Sequence, residues 1–218
     1  MINKGEALEG ERDEKIVGLA IAALMIITMV GGGTWAYFSD TESSTNNSLS
    51  AGTLDLNVDG GDAAVTTFSV SDVAPGDSGS DNTTLANAGS LSGELEIATS
   101  AITNTPDAGG TEYEGGSGEL GANAQIAMYI DVDQSDVWSS GDIGLKSDNT
   151  TYNHPTALDY ATIDSYDTKT WDAVETMAAS AADNCVVMWQ VPTGTGNDCQ
   201  GDSISFDITF ILEQAAAD

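Results

Sequence analysis

Apolar and polar residues alternate in several segments of the chain after residue 51, and this pattern predicts β-strands. The clearest case is the segment 203–212, in which every second residue from Ile204 to Leu212 is apolar. A two-residue period puts these side chains on one face of a strand, which is typical of a sheet with one buried face. The same pattern, less regular, predicts strands at residues 52–58, 66–73, 91–98, 125–132 and 186–191.

One segment, residues 169–182, shows a different period. Trp171, Val174 and Met177 lie three residues apart among good helix formers, which predicts a short helix. Short strands separated by loops rich in Gly, Asp and Asn are typical of an antiparallel sandwich. We therefore expect an all-β, antiparallel, jelly-roll-like β-sandwich over residues 51–218, with one short helix in an insertion.

A continuous apolar segment precedes the strands. Residues 16–38 contain no charged residue and follow Arg12 and Lys15, so the positive-inside tendency keeps the start of this segment in the cytoplasm. Residues 16–30 have the length of the h-region of a signal peptide that follows an n-region at 1–15. The whole run to residue 38 is also long enough to span a bilayer as a retained anchor.

Small residues favour the signal peptide over the anchor. Three glycines at 31–33 interrupt the apolar segment, and Ala36 supplies the small residue that signal peptidase requires before the cut. We expect residues 1–36 to be a signal peptide that is cleaved between Ala36 and Tyr37. Signal peptidase is then a partner during export only, and the chain contacts the membrane only before cleavage.

The charge balance of the chain is strongly negative. Five Lys and Arg residues stand against 35 Asp and Glu, which gives a formal charge of −30, while 40% of the residues are hydrophobic. So few cations exclude nucleic-acid binding, which depends on contacts to phosphate. Molar salt screens such self-repulsion within about 3 Å, so we expect an extracellular, cell-surface protein of a high-salt habitat. An ordinary acidic secreted protein is the alternative.

Five short motifs suggest a family. They are "GGGTWA" before an aromatic residue, "AGTLDL" at 51–56, "PGD" at 75–77, "NAGSL" at 87–91 and "DSISFDITF" at 202–210. In order and spacing they resemble the TasA/camelysin family. The resemblance implies an exported jelly-roll domain that polymerises on the cell surface, as in bacterial biofilm-matrix fibres and archaeal bundling pili.

The resemblance also implies a role for the segment that follows the signal peptide. Residues 37–50 would be an extended donor strand that completes the sheet of the next subunit in a head-to-tail homopolymer. The contacts would come from Tyr37, Phe38, Thr41, Thr45 and Leu49. Because few of these side chains are strongly apolar, a flexible polar leader is the alternative.

Some members of the family are described as metallopeptidases, which raises the question of catalysis. A zinc peptidase of the HExxH type uses two imidazoles one helical turn apart and a glutamate that activates water. This chain has a single histidine, His154, and no HExxH or GxSxG motif. We therefore expect no enzymatic activity, and a camelysin-like metallopeptidase is the remote alternative to a structural subunit.

The segment "DVDQSDVWSSGD", residues 131–142, has the spacing of a calcium loop. The carboxylates of Asp131 and Asp133, the hydroxyl of Ser135, the carbonyl of Val137 and the carboxylate of Asp142 fall at positions 1, 3, 5, 7 and 12. We predict a structural Ca²⁺ here, although position 6 lacks the usual glycine. The alternative is a loop of hydrated acids, and a monomeric calcium-binding adhesin is the second functional hypothesis.

Two further kinds of site can be read from the sequence. Cys185 and Cys199 are the only cysteines, and outside the cell such a pair predicts a disulfide worth about 3 kcal/mol in the chain-entropy model. Two separate thiols are the alternative. Asn46, Asn82 and Asn149 begin sequons and are candidate N-glycosylation sites.

Overall fold

A computed structural model describes residues 52–107, 118–196 and 199–214 of the chain. These residues belong to the compact unit Ser50–Asp218. The predicted signal peptide (1–36), its cleavage site and the candidate donor segment (37–50) lie outside the described residues. Within the described part of the chain, no helix is long and apolar enough to cross a membrane.

Twelve strands, one short α-helix and one 3-10 turn make up the described fold. The strands are β1 (Leu56–Val58), β2 (Val65–Ser71), β3 (Ser78–Asn87), β4 (Gly93–Thr99), β5 (Thr103–Thr105), β6 (Gln125–Asp131), β7 (Ile143–Leu145), β8 (Thr151–Asn153), β9 (Ala161–Thr162), β10 (Thr170–Met177), β11 (Ala182–Gln190) and β12 (Ser203–Glu213). The helix α1 is Leu120–Asn123, and the 3-10 turn is Ile163–Tyr166.

The strands form two sheets whose pairings are all antiparallel. The first sheet has the order β1-β3-β11-β6-β7-β8, with β9 also on β6. The second has the order β10-β4-β12-β2, with β5 also on β12. Buried residues of both sheets form one hydrophobic cluster. The prediction of an all-β antiparallel sandwich is therefore confirmed.

The core follows the two-residue period of the strands. Phe206 of β12 pairs with Phe68 of β2, and their ring centroids lie 5.1 Å apart. The inward side chains that complete the centre of the core include Leu95, Ile97, Ile126, Met128, Ile130, Val187, Ile208 and Phe210. Removing most of one such side chain costs about 2–5 kcal/mol of folding free energy.

Six predicted strands are present as β1, β2, β4, β6, β11 and β12, with ends shifted by a few residues. The predicted helix at 169–182 is wrong, because this segment contains β10 and the start of β11. The register of β10 against β4 shifts between Trp171 and Glu175, where Ala173 has φ 47°. This bulge resets the alternation and produces the helix-like spacing of Trp171, Val174 and Met177.

The side chain of Asn87 joins two turns at one end of the sandwich. Asn87 is fully buried, and its Nδ2 donates to the carbonyls of Leu91 at 2.8 Å and Ala178 at 3.1 Å. Its Oδ1 accepts the N–H of Gly89 at 3.0 Å. A Cβ at Gly89 would lie 2.3 Å from the carbonyl oxygen of Thr53, so only glycine fits there. The motifs "NAGSL" and "AGTLDL" thus meet in space.

Two acidic side chains face each other inside the sandwich. Glu175 of β10 pairs with the buried Leu95, and Asp183 of β11 is 6% exposed. Burial, followed by the nearby charge of Asp183, raises the pKa of Glu175 to about 7. Burial also raises the pKa of Asp183. The carboxyl of Glu175 therefore carries a proton below neutral pH.

This pair predicts a pH-dependent stability. The pKa of Glu175 in the folded protein, about 7, lies above its ordinary value of 4.5. The protonated carboxyl therefore stabilises the fold fully below pH 4.5, and this stabilisation is lost as the pH rises through about 7. We expect Glu175→Gln to leave the Tm nearly unchanged at about pH 4.5 and to raise it at about pH 8. Thermal denaturation followed by circular dichroism, at constant salt, measures this.

The matched control is Asp62→Asn, which removes an acid whose side chain is exposed. It should shift the Tm by a similar small amount at every pH. If Glu175→Gln shows the same flat profile, the buried pair does not govern the pH dependence.

Candidate metal site and open sheet edge

The acidic loop, residues 131–142, connects β6 to β7. Asp131 ends β6 and Asp142 directly precedes β7, and both are fully buried, whereas Asp133 is exposed. One carboxylate oxygen from each of the three lies within 4.8 Å of the others. Because Ca²⁺ binds oxygen at about 2.4 Å, ligands on opposite sides of one ion are about 4.8 Å apart. The three carboxylates therefore fit a single cation.

Backbone N–H groups orient these carboxylates. Asp131 accepts the N–H of Ser135 at 3.2 Å and that of Asp136 at 2.7 Å. Asp142 accepts the N–H of Ser139 at 2.6 Å. A carboxylate has about four lone-pair sites, so each group retains capacity for a cation after these bonds are made.

The other two predicted ligands lie beside Asp133. The N–H of Ser135 donates to Asp133 at 3.1 Å, and the Ser135 hydroxyl donates to the carbonyl of Val137 at 3.1 Å. Hard oxygen ligands of these kinds, a hydroxyl and a main-chain carbonyl, supplement carboxylates in calcium loops. The loop thus brings the three carboxylates together and keeps the two remaining candidates next to one of them.

The turn at position 6 is made without glycine. Asp136 occupies this position with φ 59°, in the left-handed region where calcium loops usually have glycine. Aspartate tolerates this conformation better than most residues. Asp136 therefore makes the turn that glycine usually makes, so the lack of glycine at position 6 does not argue against a calcium loop.

The electrostatics of the loop favour a cation. Burial raises the pKa of Asp131, because the charged form loses its hydration. The hydroxyl of Ser135 lowers the pKa of the exposed Asp133. Keeping two buried carboxylates ionised beside a third costs free energy unless a positive charge compensates them. A hard divalent cation would supply that compensation.

Tyr129 lies on the same face of β6 as Asp131, two residues away. The side chain is fully buried, yet its hydroxyl has no hydrogen-bond partner. Its ring packs edge-on against Trp138 of the acidic loop, with centroids 5.4 Å apart. Burial and then the charges of Asp131 and Asp142 raise the pKa of Tyr129 to about 12, so its hydroxyl stays protonated beside the carboxylates.

A second feature is the open edge, which we define as the outer side of β3 from Ser78 to Thr83. On this side β1 pairs only with residues 85–87 of β3, and the N–H of Asp59 donates to the carbonyl of Thr84 at 2.8 Å. Among the described residues, no strand pairs with the open edge. Because main-chain groups alternate along a strand, those of Ser80 and Asn82 point the same way as those of Thr84.

A groove separates the open edge from β2, which is the edge strand of the second sheet. Its volume is about 190 Å³. Its lining is mainly polar, and the buried side chains of three core residues, Phe68, Val187 and Ile208, also border it. The polar lining residues are Asp59, Thr66, Thr67, Asp81, Asn82 and Thr83. Such a groove offers peptide groups for pairing and little apolar surface for side chains.

The polypeptide enters the sandwich far from this groove. Residues 53–55 run beside residues 88–91, with the N–H of Ala88 donating to the Asp55 carbonyl at 2.7 Å. Ser80 lies eight residues along the chain from this contact, which is about 26 Å in a strand. The direction of entry therefore leads away from the chain's own open edge.

His154 lies apart from the acidic loop's carboxylates. It is exposed after β8, and its ring centroid lies 6.0 Å from that of Trp138. The three clustered groups are carboxylates, so they offer oxygen and not the imidazole ligands that zinc peptidases use.

Comparison with known proteins identifies the family of this chain. The model of a family described as camelysin metallo-endopeptidase matches residues 13–218. The chain belongs to this family. A search of curated proteins finds no match. The description of the family names a peptidase activity. The resemblance inferred from the five motifs is confirmed at the level of the family.

Two sequons of this camelysin-family chain lie in described residues. Asn149 has φ 67° in the turn between β7 and β8. Asn82 lies on the open edge, and its Nδ2 donates to the carboxylate of Asp136, so a glycan there would stand beside the groove. Asn46 lies outside the described residues. The sequence did not indicate that Asp136 contacts Asn82 or that Tyr129 packs against Trp138. The first of these contacts joins segments that are distant along the chain.

The predicted disulfide is absent from the structure. The sulfur atoms of Cys185 and Cys199 are not bonded to each other, and both side chains are buried. Cys185 lies in the middle of β11. The carbonyl of Cys199 accepts the N–H of Asp202, whose carboxylate accepts that of Glu119 near the start of β6. A disulfide would require the Cα atoms of the two cysteines to lie within about 7 Å of each other.

The burial and unbonded state of the two cysteines predict a labelling result. Burial raises the pKa of Cys185 to about 12, so we expect no alkylation of Cys185 in the native protein at about pH 8. In denaturant without reductant, mass spectrometry should find both thiols alkylated. Alkylation only after reduction would show that the disulfide forms.

Proposed function

We propose that this protein is a structural subunit of an extracellular filament, either a biofilm-matrix fibre or a bundling pilus. The observation that carries the proposal is the open edge of β3 beside a groove. Peptide groups at an exposed sheet edge pair readily with an added strand, and β-augmentation uses them in this way. The added strand would be the N-terminal segment, residues 37–50, of a neighbouring subunit.

The existing pairing of β1 indicates where the donor strand would lie. β1 covers residues 85–87 of β3, and a donor beside Ser80 and Asn82 would continue the same edge. Its main-chain groups would bond to those two residues. The donor would thereby extend the first sheet over the length that the subunit's own chain leaves unpaired.

The composition of the groove suits a donor with few apolar side chains. The lining of the groove is mainly polar, because its apolar residues Phe68, Val187 and Ile208 are buried, and its volume is about 190 Å³. Tyr37, Phe38 and Leu49 are the strongly apolar residues of the donor, with Thr41 and Thr45 between them. Main-chain bonds would then contribute more of the affinity than side-chain burial.

The entry point of the chain supports assembly between subunits. Because residues 53–55 lead away from the open edge, a donor that continues in this direction reaches another subunit before its own groove. Because the donor and the groove come from different segments of the chain, the contact would be heterologous and could propagate without closing. A head-to-tail homopolymer is the expected product.

The remaining functional assignments follow from this proposal. A filament subunit needs export, signal peptidase and a cell-surface location, and it needs no catalytic group. The acidic composition, with two cations left against 30 acids once residues 1–36 are removed, suits a high-salt habitat and excludes a nucleic-acid partner. We infer a structural role within the camelysin family in preference to the peptidase activity in its name, because the chain has one histidine.

Ser80 offers a direct test of the acceptor. Ser80→Pro removes the N–H that points to the open edge and leaves the bonds of β3 to β11 in place, and proline is tolerated at sheet edges. We expect the variant to fold, with circular dichroism like that of the wild type, and to lose filaments in electron micrographs and light scattering.

The matched control is Ser80→Ala, which keeps the N–H and removes only the hydroxyl. It should assemble like the wild type. Filaments of normal yield from Ser80→Pro would show that the open edge is not the acceptor, and a monomeric wild-type chain would favour the calcium-binding adhesin.

A further inference from the structure

The acidic loop and the open edge are joined by one side-chain contact. Asp136, in the loop, accepts a hydrogen bond from the Nδ2 of Asn82, on β3. The Asn82 side chain stands in a row with Val186 and Tyr129 across the first sheet. Asn82 therefore contacts the loop through its side chain while its main-chain groups point to the open edge.

The position of Asp136 depends in turn on the candidate metal ligands. Its N–H donates to the Oδ2 of Asp131 at 2.7 Å, and its backbone is held at φ 59°. The carboxylate of Asp131 thus orients the peptide from which the Asp136 side chain extends. Two hydrogen bonds therefore connect Asp131 to Asn82 through Asp136.

The buried hydroxyl of Tyr129 is an independent sign of a bound group. A fully buried phenol without a partner is costly, and such hydroxyls usually bond to protein, water or a ligand. Tyr129 shares a face of β6 with Asp131, and the charges of Asp131, Asp142 and Asp136 act on it. A hydrated cation among these carboxylates would give the hydroxyl a partner through one of its waters.

We propose that the acidic loop binds one Ca²⁺ and that this ion braces the open edge through Asp136 and Asn82, so that subunits add to the filament faster when calcium is bound. The ligands are the carboxylates of Asp131, Asp133 and Asp142, supplemented by Ser135 and Val137. The regulatory part rests on the proposed filament function, whereas binding of the ion does not.

The physical basis is the order of the edge strand. A donor strand pairs best with an acceptor whose peptide groups are already aligned, because less conformational entropy is lost on binding. Without the ion, repulsion among the three carboxylates opposes the loop geometry that positions Asp136. With the ion bound, the loop keeps one conformation, and its Asp136 holds the side chain of Asn82 in place.

Calcium binding is tested by titration calorimetry of the mature full-length chain in a high KCl background, which suppresses diffuse counterion binding. We expect one saturable site for Ca²⁺ that weakens at least about tenfold in Asp133→Asn. Asp133 is exposed, so its loss should not prevent folding. Asp62→Asn is the matched control and should bind like the wild type. Equal binding in Asp133→Asn and Asp62→Asn would overturn the site.

The coupling is tested by assembly kinetics with and without CaCl₂, followed by light scattering and electron microscopy. Calcium should accelerate assembly of the wild type by about tenfold or more, which corresponds to about 1.4 kcal/mol. Asn82→Ala should retain calcium binding and lose this acceleration. Asn82→Ala that responds to calcium like the wild type would overturn the coupling.

The outcomes separate the two proposals. Filaments whose growth ignores calcium would overturn the coupling and leave the filament function standing. Saturable calcium binding by a wild-type chain that never assembles, at any calcium concentration, would overturn both the filament function and the coupling and leave the metal site standing.

Discussion

Strand β3 pairs with β11 along nine of its residues but meets β1 only at residues 85–87. The peptide groups of the remaining outer side must bond to water or to another strand. The protein leaves this side open next to a groove, while its own chain enters at the opposite end of β3. Because an exposed edge is a template for pairing, the strand that we propose a neighbour donates would complete this sheet.

The sequence predicts strands in which apolar residues alternate or form a short apolar run, and it misses strands without such a pattern. In β12 every inward residue is apolar, so alternation alone locates it. In β3 the residues of the open edge are polar on both faces, so no period appears until Leu85. In β10 the bulge near Ala173 breaks the alternation and produces the spacing of a helix. These two errors fall at an unpaired edge and at a bulge, where tertiary structure overrides the local pattern. The short strands β5, β7, β8 and β9 are also missed, because two or three residues are too few to show a period.

The candidate metal site is predictable in part for a similar reason. Its carboxylates lie within one short segment, so their spacing reveals them, and the structure brings Asp131, Asp133 and Asp142 within reach of one ion. Asn82 and Tyr129, which lie beside the acidic loop, are on different strands, β3 and β6. Contacts between strands that are distant along the chain cannot be predicted from residue spacing. The disulfide prediction used cell compartment and cysteine number alone, and the two cysteines are not bonded to each other in this structure. By contrast, five short motifs in the sequence indicate the family, and two of these motifs contact each other at Asn87 and Gly89.

The central claim, that a neighbour's N-terminal segment completes the sheet, is tested most directly by the structure of assembled filaments determined by cryo-electron microscopy. The account predicts an extended strand formed by residues 37–49 of one subunit beside Ser80 and Asn82 of the next, continuing the line of β1. An empty groove in the filament, or residues 37–49 packed on their own subunit, would contradict it.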